Sequence, residues 1–247
     1  MKIFRAMLKT ELKLSLRGMD MFIFAICMPV VVTILIGLIY GNKPAFDGAE
    51  YTFLEQSFGA ISTVAICAGG VMGLPLVISE YRKRNILKRF KVTPISPAMI
   101  LSVQIVIYAL YAIISLVLVY ITSNLFFDFN FRGSWVKFLG SYFLVMASMF
   151  SIGLMVGWIA KNTKIASVIA SILYFPMLIF SGATLPYEVM PKALQNISDI
   201  LPLTQGIKIL KDISLNSITE NTIIPIISMI ILTVVCTVIS LKFFKWE

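Results

Sequence analysis

The chain contains no histidine. That absence removes the usual zinc peptidase motif, Ser-His and Cys-His catalysis and a histidine proton relay together. Acidic residues are scarce, 12 against 21 basic ones, and none stands in the middle of a long apolar run. A proton- or sodium-coupled carrier normally keeps an ionisable group within the bilayer to bind the coupling ion, so the pattern argues against one. No glycine-rich loop leads into a Lys-Ser or Lys-Thr pair, and nothing can cradle nucleotide phosphates in the usual way. The chain is therefore not expected to be an enzyme or to bind a cofactor itself. Cys27, Cys67 and Cys236 all lie inside apolar runs, where a thiol behaves as a small hydrophobe, and nothing suggests a disulfide or a metal site.

What the chain does have is apolar length. Hydrophobic residues make up 59% of it and the mean hydropathy is +0.93, beyond the roughly half that is usual in soluble proteins. The excess sits in six runs of about the ~20 residues a bilayer core requires, near 20–40, 57–79, 98–123, 135–160, 165–183 and 221–241. Pro225 falls in the first turn of the last run, where proline is tolerated. The first run is too long for a cleaved signal and has no Ala-x-Ala end. The expectation is one all-α, polytopic transmembrane domain over 1–247.

Charge orients it. Six spans put both termini on one side, and 15 of the 21 basic residues fall there, among them Lys2, Arg5, Lys9, Lys13, Arg17, the cluster from Arg82 to Lys91, Lys161 and Lys242. The other side carries Lys43, Arg132, Lys137, Lys192, Lys208 and Lys211. The positive-inside rule then places both termini in the cytoplasm. Topology accounts for the net charge of +9, and nucleic acid is not expected as a partner.

Three segments outside the runs have a pattern of their own. Over 2–17, Lys2, Arg5, Lys9, Lys13 and Arg17 gather on one helical face and Ile3, Phe4, Met7, Leu8, Leu12 and Leu14 on the opposite one, as in a helix lying in the membrane interface. The loop 80–97 holds a short helical stretch, Tyr81–Lys91, with Ile86, Leu87 and Phe90 on one side and cations elsewhere; Ser96-Pro97 then starts the third span. Residues 184–220 are too polar and too proline-punctuated to span, yet Tyr187, Met190, Leu194, Ile197 and Leu201 recur at helical spacing. A broken pair of helices against or within the outer leaflet is expected there. Gly69/Gly73 and Gly153/Gly157 are small-xxx-small pairs suited to close helix contact.

This arrangement resembles the membrane subunits of type-2 (ABC-2) ATP-binding cassette exporters. The local matches are Glu80-Tyr-Arg-Lys-Arg-Asn-Ile-Leu-Lys-Arg-Phe-Lys-Val-Thr-Pro-Ile-Ser96 and the series Phe180-Ser-Gly-Ala-Thr-Leu-Pro186, Met190-Pro-Lys-Ala-Leu-Gln-Asn-Ile-Ser198 and Leu201-Pro-Leu-Thr204. The family often has Gly-Thr where Asn85-Ile86 stands and an acidic residue near Lys88. The resemblance implies an interfacial N-terminal helix, six spans, a cytoplasmic coupling helix between spans two and three, and a re-entrant pair before span six.

It also implies a permease paired with a second permease, identical or not, and with two ATPase subunits that hold ATP and Mg. The expected location is the cytoplasmic membrane of a bacterium, and the expected activity is export of a hydrophobic or amphiphilic substrate such as a drug, lipid or peptide. Arg82, Arg84, Ile86, Leu87, Lys88, Arg89 and Phe90 are then the expected ATPase contacts, and Glu80 a possible partner for an arginine of the interfacial helix. Ser62, Thr63, Ser167, Ser171 and Tyr174 are candidates to line a path between two copies, although Ser and Thr in membrane helices also bond their own backbone. The competing class is a passive channel or scaffold, and a channel would show a polar pore stripe that is not visible.

Overall fold

Prolines shape the helices of this chain as much as its apolar runs do. In the computed structural model, which describes residues 2–41, 43–46, 48–84, 96–184, 187, 190–217 and 222–243, every regular element is helical. The described residues form no strand, only an isolated bridge between Pro44 and Thr52. Helix α1 is Lys2–Gly18, and Phe4, Met7, Leu8 and Leu12 of its apolar face pack on the core. The chain turns through Met19 at φ 55° into α2, residues 20–40. There the turn Ile23–Cys27 is π-helical, with Met28 N–H donating to Ile23 O. Pro29 follows directly; it has no N–H to donate and its ring crowds the preceding turn, and one extra residue per turn relieves both constraints.

The same device recurs in α3, Phe53–Lys83, where Ala68–Gly73 is π-helical, Leu74 N–H reaches Gly69 O, and Pro75 comes next. Helices α4 (Pro97–Phe127), α5 (Trp135–Ile159) and α6 (Thr163–Phe180, with Pro176 inside it) follow. Then come α7 (Lys192–Ile200), α8 (Pro202–Ser214) and α9 (Ile223–Lys242).

Among the described residues, six helices are long and apolar enough to span a bilayer: Ile23–Tyr40, Phe53–Lys83, Ala98–Phe127, Trp135–Ile159, Thr163–Phe180 and Ile223–Lys242. Their boundaries differ from the hydropathy reading where a polar signal acts. Helix α3 begins at Phe53 rather than 57 because Thr52 and Glu55 form a capping box, each side chain meeting the other's backbone N–H, which satisfies two otherwise orphan donors. It also continues through 80–83, which the sequence assigned to the loop. Helix α4 runs on to Phe127 and stops at Asp128 in the left-handed region, φ 48°. Helix α6 ends at Phe180 rather than 183, since Gly182 has φ 96°, a conformation glycine adopts without steric cost. The segment expected to hold a broken pair does contain two helices, α7 and α8, separated at Leu201-Pro202.

Helix α3 is the hub, in contact with α2, α4, α5, α6 and α8. Its approach to α5 depends on glycine: a Cβ on Gly153 would lie 1.9 Å from Gly70 O, and one on Gly157 would meet Ile78 at 2.9 Å. Gly69 and Gly73 instead receive the Tyr108 ring of α4. Helix α9 lies along α5 and α8, tied by the Ser148 hydroxyl to Met229 O (2.9 Å) and Thr233 Oγ1 (2.6 Å). At the end of the bundle opposite α1, Phe58, Phe129, Phe131, Trp135 and Phe138 form an aromatic cluster. Glu55, only 5% exposed, holds the loops there: it accepts from Asn130 N–H at 3.2 Å and pairs with Arg132 at 3.5 Å. Apolar faces of α2, α6 and α9 remain exposed, the surface a bilayer would cover.

Candidate functional site

Glu11 is the only acid in α1, and the cleft it faces is polar at its mouth and apolar further in. The mouth is a cleft of 420 Å³ between α1, α3 and α4, lined by Glu11, Glu80, Tyr81, Gln104 and Tyr108 among others. The Gln104 amide donates to Glu11 Oε2 at 3.0 Å and to the Tyr81 hydroxyl at 2.6 Å. Ser15 and Tyr111 share a hydroxyl–hydroxyl bond of 3.0 Å beside it. These contacts fix α1 against the bundle through polar groups, at a place where its sequence pattern calls for an apolar seam.

A second cleft of 240 Å³ adjoins the first, and Met21 and Leu76 line both. Its remaining walls are Phe24, Ala68, Met72, Tyr174 and Phe175, so it is almost wholly apolar. Phe24 lies in the first π turn, Ala68 and Met72 lie in the second, and Phe175 precedes Pro176. The cleft thus opens beside two π turns, a deformation often found at functional sites, and beside the Pro176 turn of a third helix. From Tyr81 to Ala68 the lining follows α3 for ~20 Å at 1.5 Å per residue.

Of the five residues expected to line a substrate path, Tyr174 borders this apolar cleft, and Ser167 and Ser171 are half-buried on the same helix. Ser62 and Thr63 lie elsewhere. Both are fully buried inside the protomer and donate to their own helix, to Phe58 O and Ala60 O, each at 2.7 Å.

The expected partner contacts also separate. Arg82 turns inward: its Nη1 donates to Trp158 O at 3.0 Å and Ala160 O at 2.9 Å, and the guanidinium lies 6.0 Å from the Trp158 ring centroid. It thereby meets the carbonyl of Trp158 in the last turn of α5 and that of Ala160 just beyond it, at the end where a helix has carbonyls to spare. Arg84 is exposed and pairs with Glu80 one turn away at 2.5 Å, so Glu80 meets Arg84 and not an arginine of α1. Ile86, Leu87, Lys88, Arg89 and Phe90 lie outside the described residues.

At the opposite end, α7 and α8 frame a polar pocket of 550 Å³. Asp199 accepts from Lys208 at 2.7 Å and from the Tyr187 hydroxyl at 3.0 Å. Burial pushes its carboxyl up, but the bonds from Lys208 and Tyr187 and the Lys208 charge outweigh this and hold it below the usual carboxylate range. Asp212 shifts the other way: burial raises it against a hydrogen bond from Thr222 (2.9 Å) and the charges of Lys211 and Lys208.

Residues 2–215, which take in α1 through α8, match the family described as ABC-2 type transporter. The chain belongs to that family. A curated relative from Bacillus subtilis (strain 168), named "Putative transport permease YvfS", is 22% identical over 200 residues, covering 78% of this chain and 77% of its own. As an ABC-2 protein the chain is a multi-pass membrane component of a transporter and not itself the catalytic part, and the family implies an ATP-binding cassette ATPase partner.

Within this ABC-2 subunit, the mouth of the cleft is what reading by runs of residue type overlooks. At ~100° per residue, Glu11 and Ser15 fall in the middle of the α1 face made by Phe4, Met7 and Leu8. A carboxylate centred on an apolar stripe was the available signal. The association of Arg82 with Trp158, 76 positions away, has no local signature.

Proposed function

We propose that this ABC-2 subunit is the permease of an exporter for hydrophobic or amphiphilic molecules. In this reading both termini are cytoplasmic, α1 lies in the inner interface, and the subunit works as a pair with a second permease. Two ATPase subunits dock on residues 85–95 and bind the ATP and Mg. The observation that carries the substrate class is the pair of adjoining clefts: a polar mouth at the α1 end lies beside an apolar space bordered by exposed Phe24 and Phe175. A molecule with a polar head and an apolar body matches that order, and a small hydrated ion does not.

The docking assignment divides labour along one stretch of chain. Arg82 fixes the end of α3 to the end of α5, giving the following loop a stiff base. Ile86, Leu87 and Phe90 supply apolar anchors and Arg84, Lys88 and Arg89 the surrounding charge, as in contacts dominated by a few apolar residues. The test is the Leu87→Asp, Phe90→Asp double variant. It removes roughly 3–6 kcal/mol of apolar burial and adds charge at the contact, while the spans stay intact. Expression and membrane insertion should hold, and co-purification of the ATPase and ATP-dependent transport should both be lost. Retention of both would show that the loop is only a charged flank.

A further inference from the structure

We infer that the mouth of the cleft is a site for the cationic head group of an amphiphile, with Glu11 as its counter-charge. This rests on the reading of the cleft as the substrate's and adds the sign of the charge. The α1 end is strongly basic in sequence, yet among the described residues the side chains lining the mouth include two carboxylates, Glu11 and Glu80, and no lysine or arginine. The cations of α1 fall on its other side: Lys9, Lys13 and Arg17 are all exposed. An anionic head would meet carboxylates here; a cationic one would leave a positive surface for a negative recess.

The two carboxylates are not equivalent. Glu80 is neutralised by Arg84. Glu11 is half-buried and, among the described residues, its hydrogen bonds come from neutral groups, with no cation within ion-pair distance. A carboxylate in that setting keeps an unmet demand for positive charge.

The rest of the lining points the same way. Gln104 is 5% exposed; both its amide protons are used on Glu11 and Tyr81, and the carboxylate fixes which way the amide faces. Its carbonyl oxygen makes no hydrogen bond among the described residues. Tyr108, 4% exposed, lines the mouth with a hydroxyl that likewise has no hydrogen-bond partner among them. Two largely buried residues thus each leave a polar atom open to the cleft, whose walls also offer aromatic faces. Carboxylate, carbonyl, phenol and ring face are the groups that attract an organic cation. Leu14, Met21, Leu76 and Val77 also line the mouth, beside Ser15 and Thr163; these apolar walls suit an alkylated ammonium better than a metal ion, which requires several oxygen ligands. The apolar cleft beyond Met21 and Leu76 takes the tail.

The experiment uses the full chain in nanodiscs of zwitterionic lipid, with empty nanodiscs as the partition control. The probes are a dansyl-alkyl compound ending in trimethylammonium and its uncharged tert-butyl isostere. The charged probe should bind about 10-fold more tightly, a difference of about 1.4 kcal/mol. Glu11→Gln should abolish that preference while leaving the affinity for the isostere unchanged, because glutamine still accepts from Gln104 and keeps α1 seated. Glu80→Gln should change it by less than about 2-fold, as expected for a charge already paired at the surface. Equal binding of both probes to the wild-type chain would refute the cationic head while leaving the cleft as an amphiphile site. If neither probe binds above the partition control, the cleft is not the substrate's and both readings fall. An unchanged preference in Glu11→Gln would also sink the inference.

Discussion

Arg82 offers the sharpest test of how this end of the molecule is built, because sequence and structure give it opposite directions. The loop pattern makes it one more cation facing a partner; the structure turns it onto the final carbonyls of α5. Replacing Arg82 with Ala removes a charged donor shared between Trp158 O at 3.0 Å and Ala160 O at 2.9 Å. Hydrogen bonds involving a charged group contribute about 1.5–3 kcal/mol, and one Nη1 serving two acceptors counts as little more than one such bond. A cation at a helix C-terminus adds about 0.3–1 kcal/mol, and its place near the Trp158 ring about 0.5–1 kcal/mol. The loss should therefore be about 2–5 kcal/mol, or roughly 4–20 °C in melting temperature for a chain of this size.

Arg84→Ala is the matched comparison. Its ion pair with Glu80 lies one turn apart at the surface, and such pairs contribute about 0.3–0.5 kcal/mol. The assay is thermal unfolding of the purified subunit in detergent, run beside ATPase co-purification. Arg82→Ala should lower the melting temperature well below that of Arg84→Ala, and Arg82→Lys should recover part of the difference. If Arg82→Ala melts with the wild type yet fails to co-purify the ATPase, the side chain serves the partner and the clamp is refuted.

Three further outcomes are expected. Gly153→Ala places a methyl 1.9 Å from Gly70 O and should force α3 and α5 apart, a loss of about 3 kcal/mol or more, whereas Gly140→Ala, with nothing within 4 Å, should stay within about 1 kcal/mol of wild type; comparable melting of the two would refute the close contact. Asp212 has its carboxyl raised by burial, so its contribution to stability is fully present below the unfolded value and is lost as pH rises through the raised one. Asp212→Asn keeps the acceptor for Thr222 and should melt higher than wild type at neutral pH, with the gap closing as pH falls toward the ordinary carboxylate range; a gap that does not vary with pH would contradict this. Single cysteines at Lys2 and Glu247, in a chain whose native cysteines are replaced, should resist impermeant thiol reagents in intact cells and react after permeabilisation, and labelling of either end from outside would overturn the six-span orientation.

The six spans were legible because hydropathy over ~20 residues is a property of composition, and composition needs no tertiary partner. Signals of three or four residues were legible too, but easily lost beside it. Thr52-Phe-Leu-Glu55 reads as a capping box once the helix start is sought there, and Glu11 stands out once the face of α1 is drawn rather than its charge counted. Other features were not available at all. The π turns before Pro29 and Pro75 preserve no hydrophobic period, since their neighbours are apolar on every side. The burial of Ser62 and Thr63, against the half-exposure of Ser167 and Ser171, depends on α3 being the hub, and that follows from Gly70 meeting Gly153 across the bundle.

The two kinds of departure from pattern coincide in space. Two π turns and Pro176 border the apolar cleft, and Glu11 and Gln104 bring polarity to the adjoining mouth. A bundle selected only for stability would have an apolar residue at position 11, because a half-buried carboxylate without a cation costs free energy wherever it is placed. In this chain the carboxylate lines a recess that shares Met21 and Leu76 with the apolar cleft. A cost located there is offset when the recess is filled. The cleft in its unfilled form is therefore the higher-energy one, and the charged probe should raise the melting temperature of the subunit more than its uncharged isostere does, a difference that Glu11→Gln should remove.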